Sequence, residues 1–194
     1  MNKTPELLSP AGSMEALCAA VDGGADAVYF GGTAFNARIF ANNFDAAAMR
    51  EAVSLCHTYG VRAYLTLNTL PFDREMKEFL DAAYEAASAG IDALIVADLG
   101  GAAAIRRTIP QLELHASTQA SGHCTDAAEV LSSLGFSRMV CAREMSLEDV
   151  RRFTANAPIE AEVFVHGALC VCQRLSLPPL GHEQRRRPAS SPIP

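Results

Sequence analysis

The densest group of chemically capable side chains lies between residues 162 and 172. Glu162 and His166 are in a run with the composition of a β-strand, and period-two alternation places them on one face. A carboxylate on an interior strand needs a buried partner, and Arg143, which ends the preceding strand, is the candidate. That pair could fix the geometry of the sheet or contact a substrate. His166 could be a ligand or a general acid or base, or a hydrogen-bonded structural histidine.

Two cysteines follow this strand at Cys-x-Cys spacing, Cys170 and Cys172. Loop thiolates bind Zn²⁺ or an iron–sulfur cluster, but either site normally has four ligands. Because no cysteine follows residue 172, the spacing alone does not complete a metal site. A cysteine nucleophile with a histidine base, Cys170 with His115 or His166, is the alternative.

Further polar side chains stand where apolar runs end. His115 and Gln119 flank the end of the fifth predicted strand, and Asn68 ends the third. Arg38 and Asn43 lie in the long connection after the second strand, which is a natural substrate loop. Arg38 could hold a carboxylate or a phosphate, or be an exposed loop arginine without a specific role. We predict His115 as a catalytic residue and the other four as substrate-binding residues.

Seven short apolar runs rich in β-formers alternate with segments of helical spacing. They are Glu6–Ala11, Ala27–Gly32, Arg62–Asn68, Ala93–Asp98, Glu113–Thr118, Arg138–Glu144 and Glu160–Gly167. Continuous apolar strands of this kind predict a parallel sheet covered by helices, either an open doubly wound sheet or a (β/α)₈ barrel. No G-x-G-x-x-G follows the first strand, which weakens the dinucleotide-binding alternative.

The barrel is favoured because polar residues gather at the same ends of these runs, where barrel enzymes carry their chemistry. The residues are Ser9, Asn68, Asp98, Ser117, Gln119, Arg143, Glu144 and His166. Each could instead be a helix cap or a turn residue. Among the helices, we predict one over 73–89 with Asp73 as its N-cap and Gly90 as its stop, and another beginning at Ser146.

Composition sets limits on the class of protein. The 194 residues carry a net charge of −6, which argues against a generically basic nucleic-acid binder. No apolar run approaches membrane-spanning length and the first residues do not form a signal peptide, so we expect a cytoplasmic protein. Residues 173–194 differ from the rest, because they contain five of the ten prolines and carry a charge of +3. Proline at this density excludes a helix or a central strand.

Seven collinear motifs across residues 5–172 resemble peptidase family U32, the collagenase-like peptidases. The motifs are ELLSPAG, GADAVYFGG, LTLNT, DALIVAD, LHASTQ, AREMSL and EVFVHGALC. The resemblance implies a (β/α) barrel. It also implies either proteolysis or prephenate-dependent hydroxylation of tRNA or 23S rRNA, and LHASTQ is similar to the RNA-hydroxylation branch. A G-x-S-x-G or H-E-x-x-H motif, which would support the peptidase, is not found.

The resemblance further implies an iron–sulfur cluster whose first ligand matches Cys170. The second ligand position is Leu177, and the match ends at Gln173. We therefore predict an incomplete barrel of about seven βα units without the eighth, with domain boundaries at 1–172 and 173–194. The tail would be truncated or frameshifted, and strands one and seven would have open edges. Expected partners are RNA or a peptide substrate and a subunit of the same family; an inactive, non-catalytic fragment is the third alternative.

Overall fold

A computed structural model describes residues 4–37 and 43–166 of the chain, and its centre is a parallel sheet of seven strands. The strands follow one another in chain order from β1 to β7, and every neighbouring pair is parallel. Their bounds are β1 Leu8–Pro10, β2 Ala27–Gly31, β3 Arg62–Leu67, β4 Ala93–Val96, β5 Glu113–Ala116, β6 Arg138–Val140 and β7 Glu160–Glu162. All seven predicted strands are confirmed.

Helices connect these strands and cover one face of the sheet. Their bounds are α1 Met14–Asp22, α2 Ala46–Thr58, α3 Met76–Ala89, α4 Leu99–Thr108, α5 Thr125–Ser133 and α6 Leu147–Asn156. Two short 3₁₀ segments, Asp73–Glu75 and Thr118–Ala120, lie at the carboxyl ends of β3 and β5. The result is the α/β architecture predicted from the alternating pattern, an incomplete (β/α) barrel.

Alternation along each strand divides the side chains between the helices and the barrel interior. Leu65, Leu94 and Leu114 point to one face and are buried in the main core between the sheet and the helices. Tyr64 and Ile95 point to the other face and form a smaller interior cluster. Burial on both faces is typical of a parallel sheet and explains why its strands are apolar almost throughout.

The helix boundaries follow local backbone chemistry, with one correction. Gly90 ends α3 at φ +88°, a left-handed conformation that glycine adopts without steric cost. Ser146 caps α6 and forms a capping box with Asp149, as predicted. The prediction of Asp73 as an N-cap is wrong, because Asp73 is already inside the first 3₁₀ segment. The turn is closed there by Glu75, whose carboxylate accepts from the N–H of Phe72 at 2.8 Å.

The sheet curls without closing within the described residues. β1 pairs with β2 alone and β7 with β6 alone in that part of the chain, as expected for a barrel lacking its eighth strand. The chain divides into a unit of Met1–Phe164 and a second unit of Val165–Pro194. Only Val165 and His166 of the second unit are described, so the predicted boundary at residue 172 and the Pro/Arg-rich tail lie outside the described residues. No helix in the described ranges is both long and apolar enough to cross a membrane.

Candidate functional site

The interior face of the sheet carries a group of charged and phenolic side chains around buried Tyr64 and Arg138, which we call the floor network. Its members are Glu6, Arg62, Tyr64, Arg138, Glu160 and Glu162. Most of them stand at the first position of a strand or just before it, and therefore at the amino-terminal end of the barrel.

Arg138 is the centre of the floor network and is only 5% exposed. Its guanidinium donates to Glu6 at 2.7 Å and to Glu160 at 2.8 Å, and lies 3.7 Å from Glu162 Oε2. A buried guanidinium would be costly without such partners. Because Glu6 precedes β1 and Arg138 begins β6, this ion pair crosses the barrel interior and joins two distant parts of the sheet.

Tyr64 fills the space beside this ion pair and is fully buried. Its hydroxyl donates to Glu6 at 3.0 Å, and Arg62 also pairs with that carboxylate. The guanidinium carbons of Arg62 and Arg138 lie 5.5 and 5.7 Å from the centre of the Tyr64 ring. Burial raises the pKa of Tyr64, so the hydroxyl stays protonated and donates its hydrogen bond at neutral pH.

His115 lies against the floor network and is fully buried. Its ring meets Tyr64 edge-on at 4.8 Å, and its Nε2 lies 3.3 Å from Glu113 Oε1. Burial lowers the pKa of His115, so the imidazole is neutral at pH 7 and its Nε2–H donates to Glu113. Nδ1 is then an acceptor, and it has no hydrogen-bond partner within the described residues. The hydrogen bond from His115 is the largest cause that lowers the pKa of Glu113 to about 2. The hydroxyl of Ser137 donates a second hydrogen bond to the same carboxylate at 2.7 Å and acts in the same direction.

The predicted pairing of Glu162 with Arg143 is wrong, because the partner is Arg138. β6 ends at Val140, so Arg143 lies in the following loop, exposed, with its guanidinium 4.3 Å from the ring centre of Phe164. Arg138 is on the interior face two residues before Val140, which pairs in register with Glu162. Burial raises the pKa of Glu162, and its Oε2 has no hydrogen-bond partner in the described part of the chain.

At the opposite, carboxyl-terminal end, amide side chains hold the connection between β2 and α2. Asn36, which is buried, donates from Nδ2 to Asn43 Oδ1 at 2.7 Å and accepts from Thr66 Oγ1 at 3.3 Å. Asn68 Oδ1 accepts from the N–H of Ala37 at 3.0 Å. Asn43 and Asn68, predicted as substrate-binding residues, thus hold the two ends of this loop, while Arg38 lies outside the described residues. Sequence reasoning missed Asn36 and Thr66.

Several of the polar residues predicted to form the mouth of the barrel instead stabilise local backbone. Asp98 caps α4 and accepts from the N–H of Gly101 at 2.6 Å. Ser117 is buried and accepts from the backbone N–H of Gln119 at 3.2 Å. The side chain of Gln119 is partly exposed at the same end. Much of the polarity at this end therefore serves helix and turn termini.

The predicted metal ligand and one predicted catalytic residue belong to the second unit of the chain. His166 belongs to the second unit and is exposed, and Cys170 lies outside the described residues. Within the described ranges, no three His, Cys, Asp or Glu side chains form a group that could hold a metal ion. Burial raises the pKa of the Cys56 thiol to about 11 and that of Cys141 as well, so neither is a ready thiolate ligand. The described residues thus do not fit an iron–sulfur cluster.

Comparison with known proteins agrees with this architecture. The model of peptidase family U32 matches residues 12–174. The chain is 40% identical over 166 residues to the 23S rRNA 5-hydroxycytidine C2501 synthase of Escherichia coli strain K12, a match covering 86% of this chain and 25% of that protein. It is 37% identical to tRNA hydroxylation protein P1 of Bacillus subtilis strain 168, covering 88% and 40%. A collagenase of Porphyromonas gingivalis is 34% identical, covering 86% and 42%.

Solved structures show the same fold. The U32 peptidase Mk0906 superposes with a TM-score of 0.65 at 14% identity, covering 84% of this chain and 70% of that one. Among the three curated relatives above, the chain spans between a quarter and two fifths of their length. With the family model matching most of its residues and the barrel matching in fold, the chain belongs to peptidase family U32.

Proposed function

We propose that this chain acts in the hydroxylation of a pyrimidine base in RNA, either in tRNA or in 23S rRNA. The observation that carries the proposal is the 40% identity to the 23S rRNA 5-hydroxycytidine synthase, which extends over 166 residues. Five further relatives that are 33–38% identical bear the name of tRNA hydroxylation protein. The target base would enter at the carboxyl-terminal end, because the floor network fills the other end of the barrel.

Two interior side chains near the carboxyl ends of their strands, Glu162 in β7 and His115 in β5, are the candidates for acid–base steps on a base. Burial raises the pKa of Glu162 and lowers that of His115, whose Nδ1 has no hydrogen-bond partner within the described residues. Arg138 positions Glu162 through their ion pair. Asn68 and Gln119 remain candidates for hydrogen bonds to substrate, and Arg38 for a carboxylate of a prephenate co-substrate.

The iron–sulfur cluster stays a prediction that centres on Cys170. A subunit of the same family stays a predicted partner. The peptidase alternative finds no support in two of the described thiols, and its predicted nucleophile, Cys170, lies outside the described residues. A cysteine nucleophile needs a lowered pKa, whereas the pKa values of Cys56 and Cys141 are raised.

Nucleoside analysis of a deletion strain tests the function. RNA from the strain lacking the gene should lose one hydroxylated pyrimidine nucleoside in mass spectrometry, and the wild-type gene should restore it. Glu162→Gln should fail to restore it. Glu160→Gln should restore it, because that carboxylate is on the same strand but mostly exposed. Unchanged tRNA and 23S rRNA nucleosides in the deletion strain would refute the proposal.

A further inference from the structure

Exposed apolar side chains gather on the loops at the carboxyl-terminal end of the barrel. We call this set the rim: Leu70, Phe72, Leu99, Leu147, Val163 and Phe164. They follow β3, β4, β6 and β7, and the carboxyl ends of parallel strands lie at one end of the sheet. Their exposure ranges from 43% for Leu99 and Val163 to 77% for Leu147. Apolar groups left exposed around the mouth of a barrel mark a surface that contacts a ligand.

Two residues of the rim are phenylalanines, and the ring of each packs against the guanidinium of an arginine. The guanidinium carbon of Arg74 is 4.9 Å from the ring centre of Phe72, and that of Arg143 is 4.3 Å from the ring centre of Phe164. Phe72 is 64% exposed and Phe164 44%. β3 and β7 are four strands apart in the sheet, so the two pairs stand at well-separated positions around the mouth.

The backbone beneath each ring is held by buried or hydrogen-bonded neighbours. The N–H of Phe72 donates to Glu75 at 2.8 Å at the start of the first 3₁₀ segment. Phe164 follows Glu162 by two residues, and Glu162 pairs with buried Arg138. The turn that presents Phe72 is thus constrained, which lowers the entropic cost of stacking a ligand against its ring.

The chemistry of these pairs fits an unpaired nucleobase. Single-stranded RNA loops are recognised by stacking of splayed bases on aromatic rings and guanidinium planes. The 194 residues are acidic, with a net charge of −6, which argues against general attraction to phosphate as the source of RNA binding. Stacking of bases on the uncharged faces of the two rings, supported by two local guanidinium charges, is the alternative source of binding. A peptide would instead need pockets for its side chains, whereas both rings are prominently exposed.

We propose that the pairs Phe72–Arg74 and Phe164–Arg143 are stacking platforms for unpaired bases that flank the target base in an RNA loop. This inference rests on the proposed function and assigns part of its substrate recognition to named side chains of the rim. It predicts a preference for looped over fully paired RNA, since only unpaired bases offer free faces.

Fluorescence anisotropy with the 194-residue chain tests the platforms. The probes are a labelled hairpin RNA with an anticodon-sized loop, the same stem as a blunt duplex, and a gelatin-derived peptide. Phe72→Ala and Phe164→Ala should each weaken hairpin binding about tenfold, or about 1.4 kcal/mol, and the double variant about a hundredfold. Phe164→Trp should bind the hairpin as tightly as the wild type does, because tryptophan also offers an aromatic face for stacking. Tyr59→Ala is the matched control, an exposed aromatic residue at the end of α2, and should bind as the wild type does.

The outcomes separate this inference from the proposed function. The slope of affinity against salt should be unchanged in both Phe→Ala variants, because neither removes a charge. If the wild type binds the hairpin and all Phe→Ala variants bind it with the same affinity, the stacking platforms are refuted and the proposed RNA hydroxylation is unaffected. No binding of either RNA would overturn both. Peptide binding that depends on Phe72 and Phe164, without RNA binding, would assign the rim to a peptide and overturn the inference. Circular dichroism of every variant verifies that it is folded.

Discussion

Replacing Arg138 with methionine should destabilise the protein more than any other single change in the floor network. The guanidinium is 5% exposed and contacts three carboxylates, at 2.7 Å for Glu6, 2.8 Å for Glu160 and 3.7 Å for Glu162. Methionine keeps much of the aliphatic length and removes the charge. Glu162, whose side chain is largely buried, is then left without a counter-charge.

The expected loss follows from how exposed each partner is. The side chains of Glu6 and Glu162 are 17% and 16% exposed, whereas that of Glu160 is 58% exposed. Removing one partner of a buried ion pair costs about 3–5 kcal/mol, and an exposed pair adds no more than about 1 kcal/mol. Arg62 still neutralises Glu6, which places the expectation near 3 kcal/mol. For a protein of this size that corresponds to a decrease in Tm of about 6–12 °C.

Urea unfolding followed by circular dichroism at pH 7 measures this loss. Arg152→Met is the matched control, since Arg152 forms an exposed i,i+4 pair with Glu148 and should lose less than about 0.5 kcal/mol. Adding Glu162→Gln to Arg138→Met should recover at least about 1 kcal/mol, because no ionised carboxylate then remains unpaired at that position. A loss below about 1 kcal/mol in Arg138→Met, or no recovery in the double variant, would refute the reasoning.

Three other predictions concern stability. Gly31→Ala should lower the free energy of unfolding by about 2–4 kcal/mol, because the added Cβ would lie 1.7 Å from Asn36 Nδ2. Gly32→Ala is the control and should be near neutral, because the nearest atom to its Cβ is 3.8 Å away on Leu65. Equal losses in the two variants in urea unfolding would contradict this. Glu113, with its pKa lowered from 4.5 to about 2, stabilises the fold above about pH 4.5 and loses this effect as the pH falls through 2. Glu113→Gln should therefore flatten stability against pH in that window, and an unchanged slope would count against it. Ser146→Ala should lower the unfolding free energy by about 1 kcal/mol, and no change would show that the capping box is dispensable.

The elements of the fold were predictable because local chemistry sets them. Apolar runs of six to eight residues between glycines and capping residues identified all seven strands, and the polar residues at their ends favoured a barrel. Strand ends were less accurate. β7 was predicted to reach Gly167 but ends at Glu162, because alternation in sequence does not show where pairing with the neighbouring strand stops.

The site was predicted only in part. His115 and Glu162 were named and are interior, but the partner of Glu162 was assigned to Arg143 instead of Arg138. A signal for the floor network was present, since five of the seven predicted strands begin with Glu or Arg. Charges of both signs at the first positions of parallel strands meet at one end of the barrel. Which of these charges pair with one another depends on the curl of the sheet, and that curl cannot be read from the spacing of residues in the sequence.

The sequence by itself therefore determined the family, the parallel order of seven strands and the residue types available for chemistry. Only the tertiary structure decided which of those residues meet. Glu6 and Arg138 are 132 residues apart in the chain and 2.7 Å apart across the barrel, a contact that depends on the register and curl of every strand between them. The same curl buries His115 against Tyr64 and leaves Arg143 in an exposed loop above Phe164. Periodicity assigns a side chain to a face, but burial and pairing follow from how the faces close on one another.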